Sequence, residues 1–345
     1  MTYNTFRLFR FLICSPRCPS GTEKARSDPL MEPRSMTRDP RASLICLALL
    51  GFLSGMLGFS PLALSEDAKT YQLRYHFAKG QDLHYVCPNG ASYLVQFAQA
   101  EETILHTSMF LRHMTVMDLN PDGTANIQLV LDRAYLTAKN AEVNSIYNSE
   151  KPDQVPTEFE SVHASIGKAQ NFRLSPLGKI LPIAGQPDSV EKIDLVFGLP
   201  EQPIAIGATW KDRIEVSVPI SKDSKLFRPV KMERRFELQG VEQGIATIRM
   251  STVLLSPVND PYQESLIMQQ RPSGVIRFDI EQGHMVDRRL QIDEKVVGHE
   301  GPGSALTIRS VRVDQLIGID QAKRVDLSKT PVPKSVAEKP LDSPK

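Results

Sequence analysis

Strict alternation of apolar and polar residues, broken at short intervals by Gly, Pro, Asn or Asp, is the feature that most limits what this chain can become. "TYQLRYHF" sets Tyr71, Leu73, Tyr75 and Phe77 on one side, and "ANIQLVLDRAYL", "ATIRMSTVLL", "GVIRFDI" and "HMVDRRLQIDEKVVG" repeat the pattern. A period of two sends successive side chains to opposite faces, so each run reads as a half-buried strand. Short punctuated connections imply an antiparallel meander. Helical periodicity is confined to two places. "PTEFESVHASIGK" holds Thr157 and Glu160 at capping-box spacing with Phe159, Val162 and Ile166 on one stripe, which predicts a helix near 157–168. "DSVEKIDLVFG" offers Ser189 as an N-cap and predicts a second helix near 189–197.

The chain also matches itself. "AKGQDLHYVCPNGASY" (78–93) pairs with "AIGATWKDRIEVSVPI" (205–220), "NPDGTANIQLVL" (120–131) with "VEQGIATIRMST" (241–252), and "FRLSPLGKI" (172–180) with "IRFDIEQGHMV" (276–286). Three matches in one order predict two similar β-rich units, 66–198 and 199–319, forming a half-barrel or curved sandwich. The same comparison decides the meaning of "DLNPDGTANIQL". Asp118, Asn120, Asp122 and Gly123 fall at positions one, three, five and six of a calcium loop, but Leu129 stands where its bidentate Glu belongs. The second unit has Gln239, Val241 and Gln243 at the ligand positions and keeps only Gly244 and the strand after it. A hairpin turn, with glycine at positive φ, is what both units require.

The front of the chain carries an address. Residues 1–35 have no periodicity and read as a disordered or mis-annotated extension. From Met36 come Arg38 and Arg41, a continuous apolar or small run, and a small-x-small site at Ala63 and Ser65 before Glu66: a signal peptide over 36–65, cleaved between Ser65 and Glu66. The alternative is an uncleaved inner-membrane anchor at 42–60, which Gly51, Gly55 and Gly58 dilute. Export to the periplasm or cell surface follows. The chain after Ser65 has 33 basic against 36 acidic residues, a net charge of −3, so no basic face is present to bind nucleic acid. It keeps one cysteine, Cys87, and therefore depends on a core rather than a disulfide. Residues 320–345, rich in Pro, Lys and Ser, are expected to be disordered.

Lys79-Gly80, Asp122-Gly123, Ser175-Pro176-Leu177-Gly178, Leu199-Pro200 through Gly207 to Trp210, and Phe278-Asp279 through Gly283 together resemble the motifs of a family of uncharacterised secreted proteins common in planctomycete bacteria. These motifs are turns and strand ends, so the resemblance implies a fold and an exported address and no activity. The pattern is also similar to the half-barrel sheets of envelope lipid carriers, an analogy of fold.

Chemistry is sparse in the linear sequence. Seven histidines include no pair at helical i, i+4 spacing, and His106 and His113 point to opposite faces of one strand. His84 and Cys87, three residues apart, do the same. Nucleophile elbow, zincin motif and dinucleotide fingerprint are absent, so no catalytic, metal or cofactor site is assigned. Trp210, the only tryptophan, and Phe278 are the candidate ligand-contacting residues, Trp210 reading first as a sheet anchor. "KMERRFEL" (231–238) and "RRL" (288–290) read as solvated basic faces. The expected function is a non-enzymatic envelope protein that binds a hydrophobic or lipid-like ligand. Alternatives are a cell-surface structural or protein-interaction module and a hydrolase with a site assembled from distant residues. The candidate partners are a hydrophobic small molecule or an envelope protein.

Overall fold

The computed structural model describes residues 69–181, 183, 194–222, 224 and 226–333. The extension 1–35, the signal or anchor segment, the cleavage residues Ser65 and Glu66, most of the expected helix at 189–197, and residues 334–345 lie outside the described residues.

In chain order the elements are β1 (Thr70–Tyr71), β2 (Asp82–Phe97), β3 (Ala100–Leu119), β4 (Ala125–Lys139), β5 (Asn144–Asn148), a 3₁₀ turn (Thr157–Phe159) leading into α1 (Glu160–His163), β6 (Ala169–Leu174), β7 (Ile180–Leu181) and β8 (Ile204–Ala205). There follow β9 (Thr209–Pro219), β10 (Phe227–Glu242), β11 (Ile245–Leu254), α2 (Pro261–Ile267) with a 3₁₀ turn (Met268–Gln270), β12 (Ser273–Asp279), β13 (His284–Val297), β14 (Ser304–Ile317), α3 (Ile319–Arg324) and a last 3₁₀ turn (Leu327–Lys329). The protein is mainly β.

Twelve strands form one antiparallel sheet in the order β7-β6-β4-β3-β2-β14-β13-β12-β11-β10-β9, with β5 also on β4 and the pair β1–β8 separate. Two meanders thus meet at one seam, where β14 runs along β2 from Ser304 opposite Phe97 to Ile317 opposite His84. The segments matched in the sequence lie on β2 and β9, on the β3–β4 and β10–β11 turns, and on the β6–β7 and β12–β13 hairpins. At the β3–β4 turn Gly123 has φ 80°, and at the β10–β11 turn Gly244 has the same value. Asp122 accepts from Thr124 N at 2.9 Å, and Asp118 pairs with Lys79, so the calcium-like residues build a turn.

The sheet is curved, and it does not close. One apolar cluster joins Leu83, Tyr85 and Cys87 on β2 to Ile127 on β4, Phe172 on β6, Phe236 on β10, Ile248 on β11 and Phe278 on β12. Strands that far apart in the order can share a core only if the sheet curls toward them. Register shifts in the β3–β4, β10–β11 and β12–β13 ladders supply local bends. The concave face is filled by the chain itself. Leu73, Tyr75, Leu195, Phe197 and Leu199 enter the same cluster.

Residues 71–77 therefore depart from the expected strand. Leu73 and Tyr75 are buried as the alternation demands, but the ladder ends at Tyr71. Beyond it Tyr75 N donates to Pro176 O at 2.8 Å and His76 N to Gly283 O at 3.1 Å, tying the segment to both meanders. Packing inside a curled sheet gives its apolar side chains partners on two sides, more than an edge position offers. The helix expected over 157–168 shortens to α1 and its 3₁₀ turn, ending before Gly167 at φ 71°. Residues 194–199 carry no helix. The tail expected to be disordered from 320 is ordered to 333: Ala322 and Leu327 are buried against Val86, Met109, Leu111 and Ile317 on the convex face. Sparse apolar residues suffice there because the strands offer an apolar strip that needs cover.

Gly178 shows how closely the inserted segment packs. A Cβ at that position would lie 2.1 Å from Phe197 O and 2.8 Å from the Tyr75 ring, whereas at Gly207 it would meet nothing within 4 Å. Both glycines have positive φ, so Ala substitution strains both backbones alike. Gly178→Ala should destabilise the protein by at least about 1 kcal/mol more than Gly207→Ala, read from denaturant unfolding of the two variants.

Candidate functional site

The concave face has three zones. At one end lies the cluster just described. At the other, α2 and its 3₁₀ turn bring Met268 onto Ala91, Tyr93, Val95, Ile104, Val296, Leu306 and Ile308, while Phe159 before α1 covers Ala134, Leu136 and Ala138. Between them runs a band of charge. Arg288 on β13 and Asp314 on β14 are direct cross-strand partners, with Nε 2.5 Å from Oδ2. Arg312, on the same face two residues earlier, donates to Asp314 Oδ1 through Nη2 at 2.8 Å and Nε at 3.0 Å. Its Nη1 pairs with Asp194, which also accepts from Arg112 Nη1 of β3 at 3.0 Å. Arg112 lies over the Phe110 ring, 5.0 Å from its centroid.

Electrostatics fix these groups in their charged forms. Burial pushes the Asp314 carboxyl up, but the Arg288 and Arg312 guanidiniums outweigh it and hold the acid below its ordinary range. Burial likewise opposes ionisation of Asp194, and Arg312 and Arg112 hold it well below that range. Burial first, then Asp314, drives the Cys87 thiol far above its ordinary value, so it stays protonated and is no nucleophile. Among the described residues three arginines face two aspartates in the band, leaving one positive charge in excess, and Arg288 Nη2 is shielded from solvent with no hydrogen-bond partner. Asp314 is fully buried, while Arg112 and Arg312 keep 20% and 26% of their side-chain exposure, so the band can be reached from the middle of the face.

The residues named from the sequence fall nearby. Trp210 stacks on Phe236 at 5.3 Å and 14° and donates Nε1–H to Gly198 O at 2.9 Å. Phe278 is fully buried, edge-on to Tyr75 at 5.4 Å and to Phe197 at 6.0 Å. Both lie in the filled end of the face. The basic run "RRL" requires a correction: Arg288 is buried in the band, because it lies on β13 in phase with Leu290 and meets a carboxylate across the strand pair. In "KMERRFEL", Lys231 and Arg235 are exposed, Arg234 pairs in register with Asp212, and Glu233 is buried beneath Lys211, Arg213 and Arg235. Cys87 joins the concave core, and His84, three residues earlier, lies on the opposite face. Sequence reasoning missed Arg112, Asp194, Arg312 and Asp314. For Arg112, Arg312 and Asp314 the one linear signal is a charge at a strand position in phase with buried residues, as Arg112 is with Met114; Asp194 lies on no strand and has no such signal.

No protein-family model and no curated protein matches the chain. Among solved structures, one of lipovitellin, concerned with its lipid–protein interactions, is 11% identical over 70% of this chain and 26% of its own, at a TM-score of 0.41. DynF, from the dynemicin biosynthesis pathway of Micromonospora chersina, is 7% identical over 74% of this chain and 89% of its own, at a TM-score of 0.21. The chain spans about a quarter of the lipovitellin chain it matches. Likeness at these scores says nothing about activity.

The depressed carboxylates set the acid response. A folded-state pKa below the unfolded one contributes stability that is complete above the ordinary aspartate value of about 3.9 and is lost as pH falls through the lowered folded values. The melting temperature should therefore drop below about pH 4, and Asp194→Asn should flatten that drop. Asp314→Asn, which leaves Arg288 buried without its carboxylate, should cost about 3 kcal/mol at neutral pH, measured by urea unfolding.

Proposed function

We propose that the chain is an exported, non-enzymatic binding protein whose concave face holds the acidic head of an amphiphilic, lipid-like ligand. The observation that carries this reading is the charge band: a cluster net positive among the described residues, with an unpartnered guanidinium nitrogen, set between two apolar zones and partly exposed at Arg112 and Arg312. An acidic head would satisfy the free donor and balance the charge, and apolar neighbours such as Phe110 and Ile292 would contact its chain. Because Tyr75, Phe197 and their neighbours occupy one end of the face, the ligand binds at the band, away from that filled end. The Asp194 and Asp314 carboxyls, kept ionised by their arginines, and the Cys87 thiol, kept protonated by burial, support a binding role over acid–base or nucleophilic chemistry at the band. Export rests on the basic and apolar segment at 36–65, family kinship on the turn motifs, and a duplicated origin on the matched segments.

Native mass spectrometry of the protein from its own exported fraction tests this. An adduct of lipid mass is expected on the wild type and should be lost in Arg112→Gln, whose unfolding midpoint verifies that it is folded. A clean wild-type mass, or an adduct that Arg112→Gln leaves intact, refutes the reading. A second reading, an interaction module, is favoured by the sheet edges at β7 and β9 and by the exposed apolar tip of the β9–β10 hairpin, where Ile220, Leu226 and Phe227 are uncovered. A dimer without adduct would select it.

A further inference from the structure

On the convex face, away from the charge band, three side chains from three strands converge. His84 on β2 and His113 on β3 are direct cross-strand partners, with ring centroids 5.5 Å apart. On β4 the ladder slips: Leu111 pairs with Arg133 and Arg112 with Leu131, leaving Asp132 as the extra residue of a bulge. The bulge turns Asp132 to His113, where Oδ1 lies 2.7 Å from Nδ1. One ligand atom from each of the three residues lies within 4.8 Å of the other two. Both ring nitrogens of His84 are shielded from solvent and have no hydrogen-bond partner, an arrangement that a neutral imidazole in a folded protein does not adopt without cost. His113 and Asp132 are each about a quarter exposed, which leaves a path for an ion.

We propose that His84, His113 and Asp132 bind a single divalent transition-metal ion of the zinc class. Two imidazoles and one carboxylate are the donor set of such an ion with an open fourth position, and nitrogen-rich donors disfavour calcium and magnesium. Bond lengths of about 2.0–2.2 Å need only side-chain rotation from the present spacing. The cation takes the place of the hydrogen bond between His113 Nδ1 and Asp132 Oδ1, and the neutral imidazole then carries its one proton on Nε2. Two further charges face the site: Asp82, one turn of the pleat away on β2 and bonded to Thr115 Oγ1, and Lys323 on α3. Their signs oppose, so the local field neither builds nor cancels the site alone. The ion would join β2, β3 and β4 on the face where α3 docks, with Arg133 of β4 already donating to Ala322 O of that helix at 2.6 Å. Two tilted histidine rings beside an aspartate, without an ion, would leave both His84 nitrogens buried and unpartnered.

The test uses the full chain, stripped with a chelator, titrated with Zn²⁺ by calorimetry and with Co²⁺ by visible absorption. One ion per chain is expected, with a Co²⁺ ligand-field spectrum free of thiolate charge-transfer bands. His84→Gln and Asp132→Asn should each weaken binding more than the ~10–100-fold that loss of an outer partner costs. Their metal-free melting temperatures, compared with the wild type, separate lost ligation from lost folding, and Zn²⁺ should raise the melting temperature of the wild type alone. No binding to folded wild type, or binding of equal strength in a folded His84→Gln variant, overturns the proposal.

Discussion

One continuous line of charge holds this structure together. From Arg288 on β13 it passes to Asp314 and Arg312 on β14, then to Asp194, and from there to Arg112 on β3. The line begins in the second meander, crosses the seam, takes in the segment that fills the concave face and ends in the first meander. Hydrophobic packing is indifferent to direction, and a curled sheet with a filled interior could settle in several registers. Paired charges are different, because a buried carboxylate such as Asp314 is costly wherever its guanidiniums do not stand. The band therefore acts as a registry device as well as a candidate ligand site.

The apolar zones depend on that registry. Tyr75 illustrates the coupling: its backbone donates to the β6–β7 turn, its ring meets Phe278 of β12 edge-on, and its hydroxyl accepts from Phe197 N at 3.1 Å. Burial raises the pKa of that phenol well above its ordinary value, so it stays a neutral hydrogen-bonding group. The filled end of the face is thus closely packed, whereas the partly exposed arginines at its centre retain contact with solvent. Binding function, on this reading, lies at the border between the packed and the open parts.

The sequence made the fold class readable because the strands alternate cleanly and their turns are marked by glycine: β4, β11, β12 and β13 coincide with the runs first read as strands. It misleads at the basic run holding Arg288, which reads as solvated by residue type alone. Arg288 and Asp314 occupy inward positions, and only the cross-strand register shows that they meet. Residues 71–77 carry a strand pattern yet run through the interior, since alternation reports which side chains are buried and is silent on what the backbone pairs with. The His84, His113 and Asp132 group was illegible for a similar reason. Its members are spread over three strands, and the bulge that aims Asp132 exists only in the ladder.

The seam has a topological meaning. Because β14 lies beside β2, the first long strand and the last are neighbours, and the sheet order read from β9 runs β10 through β14 and then β2, β3, β4, β6 and β7. That is one uninterrupted up-and-down path, cut in the natural chain at its middle and rejoined end to end. Within the large sheet, every other ladder joins strands closer in sequence; outside it, the short β1–β8 pair is also distant. The natural protein therefore cannot close its central ladder until the last strand is available, whereas in a circular permutant opened before β9 every ladder of the large sheet would join strands near in sequence. Relative contact order would fall, and folding would accelerate with it.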